Sequence, residues 1–349
     1  MSNASPDVLP VIFGLSGTTL TDDERAFFAQ SPPWGFILFA RNIESRKQLC
    51  ALTGDLRELA GNPALPILID QEGGSVARLR PPLSEATPPA EIYGQLAERN
   101  MRHATEAAFL GGGLIAADLH SLGITVNCAP CLDFRTNDTA DMMTSRCFGD
   151  DVETIATLAE AFIDGMLTGG VLPVIKHLPG LGRACVDSHV ELPRVETPRA
   201  ELEVADFEIC RRFNHAPMGM TAHALYTDID ATHPATLSPH VINNVIRVGF
   251  DGLLMTDDLS MDALSGTLDT RAAAALEAGC DIALHCNGDL AEMTAIASAL
   301  PPMTPDAKRR TARVDARIGT LICTIDRPAA HRKWTQRVGK FFPKRENAL

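Results

Sequence analysis

The chain has 349 residues, of which 45% are hydrophobic, 21% charged and 5% aromatic. That is the composition of an ordinary globular protein rich in aliphatic side chains, which suits buried parallel strands. A formal net charge of −13 and a pI near 5.2 exclude a general binder of nucleic acid or of anionic membranes, because polyanions would be repelled.

The first residues, Met1-Ser-Asn-Ala-Ser-Pro6, carry no basic n-region, and the apolar run Val8–Leu15 is short and interrupted by Pro10 and Gly14. No stretch approaches the roughly 18 uninterrupted apolar residues that span a bilayer. Nine cysteines, an odd number, fit reduced thiols better than a disulfide framework. The expectation is a cytoplasmic protein with no integral membrane association.

Short apolar runs recur along the chain. In order they are Val11–Leu15, Gly35–Ala40, Pro66–Asp70, Ile124–Pro130, Leu172–His177, Met218–His223, Gly252–Asp257 and Cys280–His285. Amphipathic stretches lie between them, among them Ser45–Ala60, Glu91–Leu122, Val152–Thr168, Ala200–Asn214, Pro239–Val248 and Thr270–Ala278. Strands alternating with helices read as an α/β fold, and a set of eight favours a (β/α)8 TIM-type barrel over an open doubly wound sheet. A barrel of about 250 residues with long loops uses this length as a single unit. The expected catalytic domain covers residues 1–325. Residues 326–349 form a basic C-terminal tail, read as a packing helix or extension. Gly111-Gly-Gly113 sits inside a helical pattern and reads as close helix packing.

The ionisable residues in these runs gather at their C-terminal ends: Asp70, Lys176 with His177, His223, Asp257 with Asp258, and His285. Clustering at one end points to the top face of a barrel, where strand ends and βα loops build active sites. Asp257 follows Gly252-Leu-Leu-Met-Thr256, so its carboxylate is held on a rigid strand end, suited to a nucleophile, a general base or a metal ligand. Asp258 points to the opposite side of an extended chain and reads as structural. Lys176-His-Leu-Pro-Gly-Leu-Gly opens a glycine-rich loop that reaches Asp187-Ser-His189, a carboxylate spaced to orient an imidazole that shuttles protons. Asp70-Gln-Glu-Gly-Gly with Arg78 suits hydrogen bonding to a polyhydroxylated ligand. The glycines lack the spacing of a nucleotide cradle. Cys128-Ala-Pro-Cys131 has no second pair and reads as core packing, and no metal or other cofactor is expected.

Together these segments resemble glycoside hydrolase family 3, in its single-domain bacterial β-N-acetylglucosaminidase branch. The likeness runs from about Val11 to Leu290 and rests on three motifs: Asp70-Gln-Glu-Gly-Gly, Lys176-His-x-Pro-Gly-x-Gly with Asp187-Ser-His189, and Thr256-Asp-Asp-Leu-Ser-Met261. The resemblance implies that Asp257 attacks the anomeric carbon and forms a covalent glycosyl-enzyme. His189, oriented by Asp187, would protonate the leaving oxygen and then activate water. Asp70, Arg78, Arg146, Lys176 and His177 would bind the terminal N-acetylglucosamine, Arg146 through its likeness to the family's Arg-x-Phe-Gly loop. The implied substrates are peptidoglycan-derived anhydro-muropeptides, and the implied assembly is a monomer or weak dimer. The sequence departs from the family at Ser75, where Arg is frequent, and at Leu181, where His is usual. A β-glucosidase, a phosphorylase of the same family and a non-catalytic sugar-binding barrel are the alternatives.

Overall fold

In the structure, a computed structural model that describes residues 7–342 apart from His189, eight parallel strands close on themselves. They are β1 (Leu9–Gly14), β2 (Pro33–Leu38), β3 (Ile67–Ile69), β4 (Val126–Asn127), β5, β6 (Met218–Thr221), β7 (Leu253–Asp258) and β8 (Ile282–His285). β5 comes in two segments, Leu172–Pro173 paired to β4 and Ile175–Leu178 paired to β6. The nine hydrogen-bonded segments are therefore eight strands. The ring closes where Val11 pairs with Ala283 and Phe13 with His285. The TIM-type barrel expected from the alternating pattern is what the chain forms, and each of the eight apolar runs contributes a strand.

The helices are α1 (Asp22–Gln30), α2 (Arg46–Ala60), α3 (Ala90–His120), α4 (Val152–Thr168), α5 (Arg199–Val204), α6 (Asp206–Arg212), α7 (Leu268–Ala278), α8 (Leu290–Ala299), α9 (Pro305–Ile318) and α10 (Arg327–Val338), with shorter turns between. Side-chain caps fix several starts: Thr21 for α1, Ser45 for α2, Asp151 for α4 and Asp289 for α8 each accept a backbone N–H of the first turn. The single amphipathic stretch expected over Ala200–Asn214 is broken at Ala205. Asp206 thereby begins a new helix with its buried carboxylate accepting from Arg183 Nε at 2.7 Å. A Cβ on Gly112 would run into the carbonyl of Phe162, and one on Gly165 into that of Phe109, so α3 and α4 cross with their backbones touching.

The strands sort their side chains with period two. Ile12, Leu68, Leu253, Met255, Ile282 and Leu284 fill the barrel interior. Their neighbours Val11, Phe13, Ile67, Ile69, Leu254 and Ala283 pack outward under the helices. Val314 and Ile318 of α9 join the interior cluster beside Trp34, at the N-terminal end of the barrel, so this helix plugs the bottom. There Trp34 Nε1 donates to Asp315 Oδ1 at 3.2 Å. At the other edge of the molecule α10 lies on α3. Trp334 is 5% exposed, and Arg327 forks onto Asp118 at 2.7 and 3.0 Å. No helix among the described residues is long and apolar enough to cross a membrane.

Candidate active site

The inward register that packs the barrel also aims its polar residues. Asp70 stands two residues beyond inward Leu68, Lys176 two beyond Val174, and Asp257 two beyond Met255. All three therefore project from the C-terminal ends of their strands over the barrel mouth. Asp258 has the opposite parity. Its carboxylate accepts from Ser260 N at 3.1 Å, Ser260 Oγ at 2.6 Å and Cys286 N at 3.2 Å, which ties the end of β7 to the end of β8.

Lys176, 3% exposed, donates its ammonium to Asp70 Oδ1 at 3.0 Å and Glu72 Oε1 at 2.7 Å. Arg78 reaches the other oxygen of Asp70 at 3.1 Å, and its guanidinium lies 5.2 Å over the ring of Phe39. Arg146 grips Glu72 with two prongs, Nε to Oε2 at 2.9 Å and Nη2 to Oε1 at 2.8 Å. The second Nη2 hydrogen faces His177 Nε2 at 3.3 Å. Behind His177, Asp133 Oδ2 accepts from Nδ1 at 2.9 Å, while Oδ1 accepts from Leu181 N at 2.6 Å and His177 N at 3.3 Å. His177 Nε2 is 4.0 Å from Asp257 Oδ2. The other oxygen of Asp257 accepts from Asp258 N at 2.8 Å.

Alternating charge keeps these buried groups ionised. Burial opposes ionisation of Glu72, but Arg146 and Lys176 overcome it and hold the carboxyl far below the ordinary value. Burial also opposes charge on Asp70, and Lys176 and Arg78 outweigh it. Asp133 is lowered in spite of burial by His177 and the Leu181 amide. Lys176 is raised although burial pulls it down, because Asp70 and Glu72 flank it. The result is a rigid array of fixed charges and donors around one face of Asp257.

The structure thus brings Asp70, Arg78, Arg146, Lys176, His177 and Asp257 into one connected cluster. His189 lies outside the described residues. Asp187 is described, in a turn where its carbonyl accepts from Val190 N at 3.0 Å and Glu191 N at 3.1 Å. The adjoining Ser188 carbonyl accepts from Ala263 N at 3.3 Å, which ties this loop to the segment that follows β7. His223 serves the scaffold: its Nε2 donates to the Asp258 carbonyl at 3.0 Å and its Nδ1 faces Thr236 Oγ1 at 2.7 Å.

Two members of the cluster go unnamed in the sequence reading. Glu72 has the parity of Asp70 and sits in the same motif, a signal that was available. Asp133 falls three residues past the run ending at Pro130, so the rule of charges at strand ends does not reach it. Leu181 is buried and keeps the loop attached through its amide, a contact indifferent to its side chain. Cys131, Asp133 and His177 offer ligand atoms within 4.8 Å of one another, the one such group of three among the described residues. Burial pushes the Cys131 thiol well up, and both Asp133 oxygens already accept N–H groups, so the donor set is committed to protein contacts.

A barrel with a carboxylate on an inner strand end, beside a cluster of fixed hydrogen-bonding charges, is an architecture that glycoside hydrolases use. The family model for the glycosyl hydrolase family 3 N terminal domain matches residues 15–318. The β-hexosaminidase of Alkalilimnicola ehrlichii is 37% identical over 314 residues, which are 88% of this chain and 89% of the relative. That of Methylococcus capsulatus is 36% identical over 348 residues, 97% of this chain and 100% of its own. The crystal structure of NagZ from Neisseria gonorrhoeae in complex with N-trifluoroacetyl-D-glucosamine is similar with a TM-score of 0.85 at 29% identity, covering 95% of this chain and 98% of that one. The chain therefore belongs to glycosyl hydrolase family 3, and within it is an enzyme of the β-N-acetylhexosaminidase type.

Proposed function

We propose that this protein is a retaining exo-β-N-acetylglucosaminidase that releases terminal N-acetylglucosamine from peptidoglycan-derived anhydro-muropeptides in the cytoplasm, as a step of peptidoglycan recycling. The observation that carries the reading is Asp257. It stands at an inward strand-end position with Oδ1 held by the Asp258 amide and Oδ2 4.0 Å from His177 Nε2. In the first step Asp257 Oδ2 attacks the anomeric carbon as the glycosidic bond breaks, and His189 gives its proton to the departing oxygen. In the second, His189 takes a proton from water, the water oxygen attacks the same carbon, and Asp257 is released. Asp187 orients His189 and supports its cationic form. Asp70, Arg78, Arg146, Lys176 and His177 hold the sugar, their geometry set in advance by their mutual ion pairs. An imidazole acid/base avoids setting a second carboxylate beside the nucleophile, and it exchanges protons near neutral pH.

The test is hydrolysis of an aryl β-N-acetylglucosaminide followed by NMR of the first-formed sugar. Turnover that yields the β-anomer, and that His189→Ala slows severely for substrates with poor leaving groups, supports the proposal. An α-anomer, or turnover unaffected by His189→Ala, contradicts it.

A further inference from the structure

The contacts of His177 fix which of its nitrogens carries the proton. Nδ1 faces an Asp133 oxygen at 2.9 Å, and the ionised carboxylate can only accept, so Nδ1 bears the hydrogen. Nε2 faces an Arg146 Nη2 at 3.3 Å, and a guanidinium can only donate, so Nε2 is bare. A hydrogen on Nε2 would set two donors against each other in a buried place. Asp133 has no freedom to relax this choice. Its other oxygen is occupied by the amides of Leu181 and His177, and the residue is fully buried.

The proton's location matters because Nε2 is also 4.0 Å from Asp257 Oδ2. A protonated Nε2 needs only a small ring displacement to donate to that oxygen, which would lower its electron density and hold it back from an anomeric carbon. We propose that Asp133 is a positioning residue of the reaction: it locks His177 in the Nδ1–H tautomer, so that His177 accepts from Arg146, or from a hydroxyl of a bound sugar, and never donates to Asp257. This rests on the reading of Asp257 as nucleophile, and it gives the buried Asp133 a task distinct from sugar contact.

Asp133→Asn is the discriminating change, because it keeps the shape. The amide oxygen has to stay on the two backbone N–H groups, so the NH2 faces Nδ1 and forces the hydrogen onto Nε2. Histidine-labelled nitrogen NMR of the unmodified enzyme, with His177 assigned through the loss of its signals in His177→Gln, reads the tautomer without substrate. The expected result is a protonated Nδ1 and a bare Nε2. In Asp133→Asn the tautomer is expected to invert, and kcat to fall on the order of 10²- to 10⁴-fold with KM changed far less, as wrong-tautomer variants behave. A protonated Nε2 in the unmodified enzyme overturns the proposal even if the variant fails to fold, and so does wild-type kcat in a folded Asp133→Asn. Because the tautomer is read in the absence of sugar, its failure is separable from a failure of the glycosidase reading.

Discussion

Glu72 and Arg146 face each other as a two-pronged ion pair, Nε to Oε2 at 2.9 Å and Nη2 to Oε1 at 2.8 Å, with each side chain only 9% exposed. Lys176 completes the arrangement on the same carboxylate. Removing the acid leaves buried Arg146 without a carboxylate partner and Lys176 with Asp70 alone, and the loss of one partner from such a pair costs about 3–5 kcal/mol. Glu72→Ala is expected to lower the denaturant midpoint accordingly. It is also expected to reduce kcat/KM on the order of 10²-fold, since displacing a sugar-holding side chain by about 1 Å has that effect. Urea titration and an aryl-glycoside assay check the two halves. A variant with wild-type stability and kcat/KM would show the pair to be incidental.

At the opposite end of the barrel, burial raises the carboxyl of Asp315 from 3.8 to about 6, partly offset by the hydrogen bond from Trp34. The folded chain holds this proton more tightly than the unfolded one. Its contribution to stability is therefore fully present below the unfolded value, is lost as pH rises toward about 6, and does not return above it. Asp315→Asn keeps an acceptor for Trp34 Nε1 and cannot ionise. Its urea midpoint relative to the unmodified chain is expected to be more favourable at about pH 8 than at about pH 4. An equal difference at both pH values would contradict this.

Trp334 docks α10 onto α3, with Nε1 3.4 Å from the buried Tyr93 hydroxyl. Trp334→Ala is expected to destabilise the fold by about 3–5 kcal/mol, the range for truncating a buried aromatic. Among the described residues no side-chain hydrogen bond or ion pair joins Trp334 or Tyr93 to the cluster around Asp257, so kcat/KM well below the melting temperature is expected to stay within about twofold of wild type. Thermal denaturation and steady-state kinetics report the two effects independently.

The barrel was legible in the sequence because its strands are buried on both faces and read as bare apolar runs. Asp70, Lys176 and Asp257 were legible as charges terminating such runs. Asp133 was not: it lies in the loop after β4, and only the pairing of that segment with β5, where Cys131 bridges to Lys176, brings it behind His177. The break at Ala205 escaped a reading by periodicity because α5 and α6 are both amphipathic. The first helix ends where the backbone of Ala205 leaves helical geometry, and the next begins with Asp206 turned to Arg183, a long-range contact. Likewise nothing local marks Arg327 as the partner of Asp118, which lies on the far side of the sequence.

The identity of the nucleophile is tested most directly by trapping. The enzyme is incubated with a 5-fluorinated N-acetylglucosaminyl donor, which slows breakdown of a glycosyl-enzyme, then digested and analysed by tandem mass spectrometry. The expected result is one sugar adduct per chain, on the peptide containing Leu253–Met261 and localised to Asp257, and absent from Asp257→Asn. Turnover of the donor with no adduct, or an adduct on any other residue, would contradict the assignment.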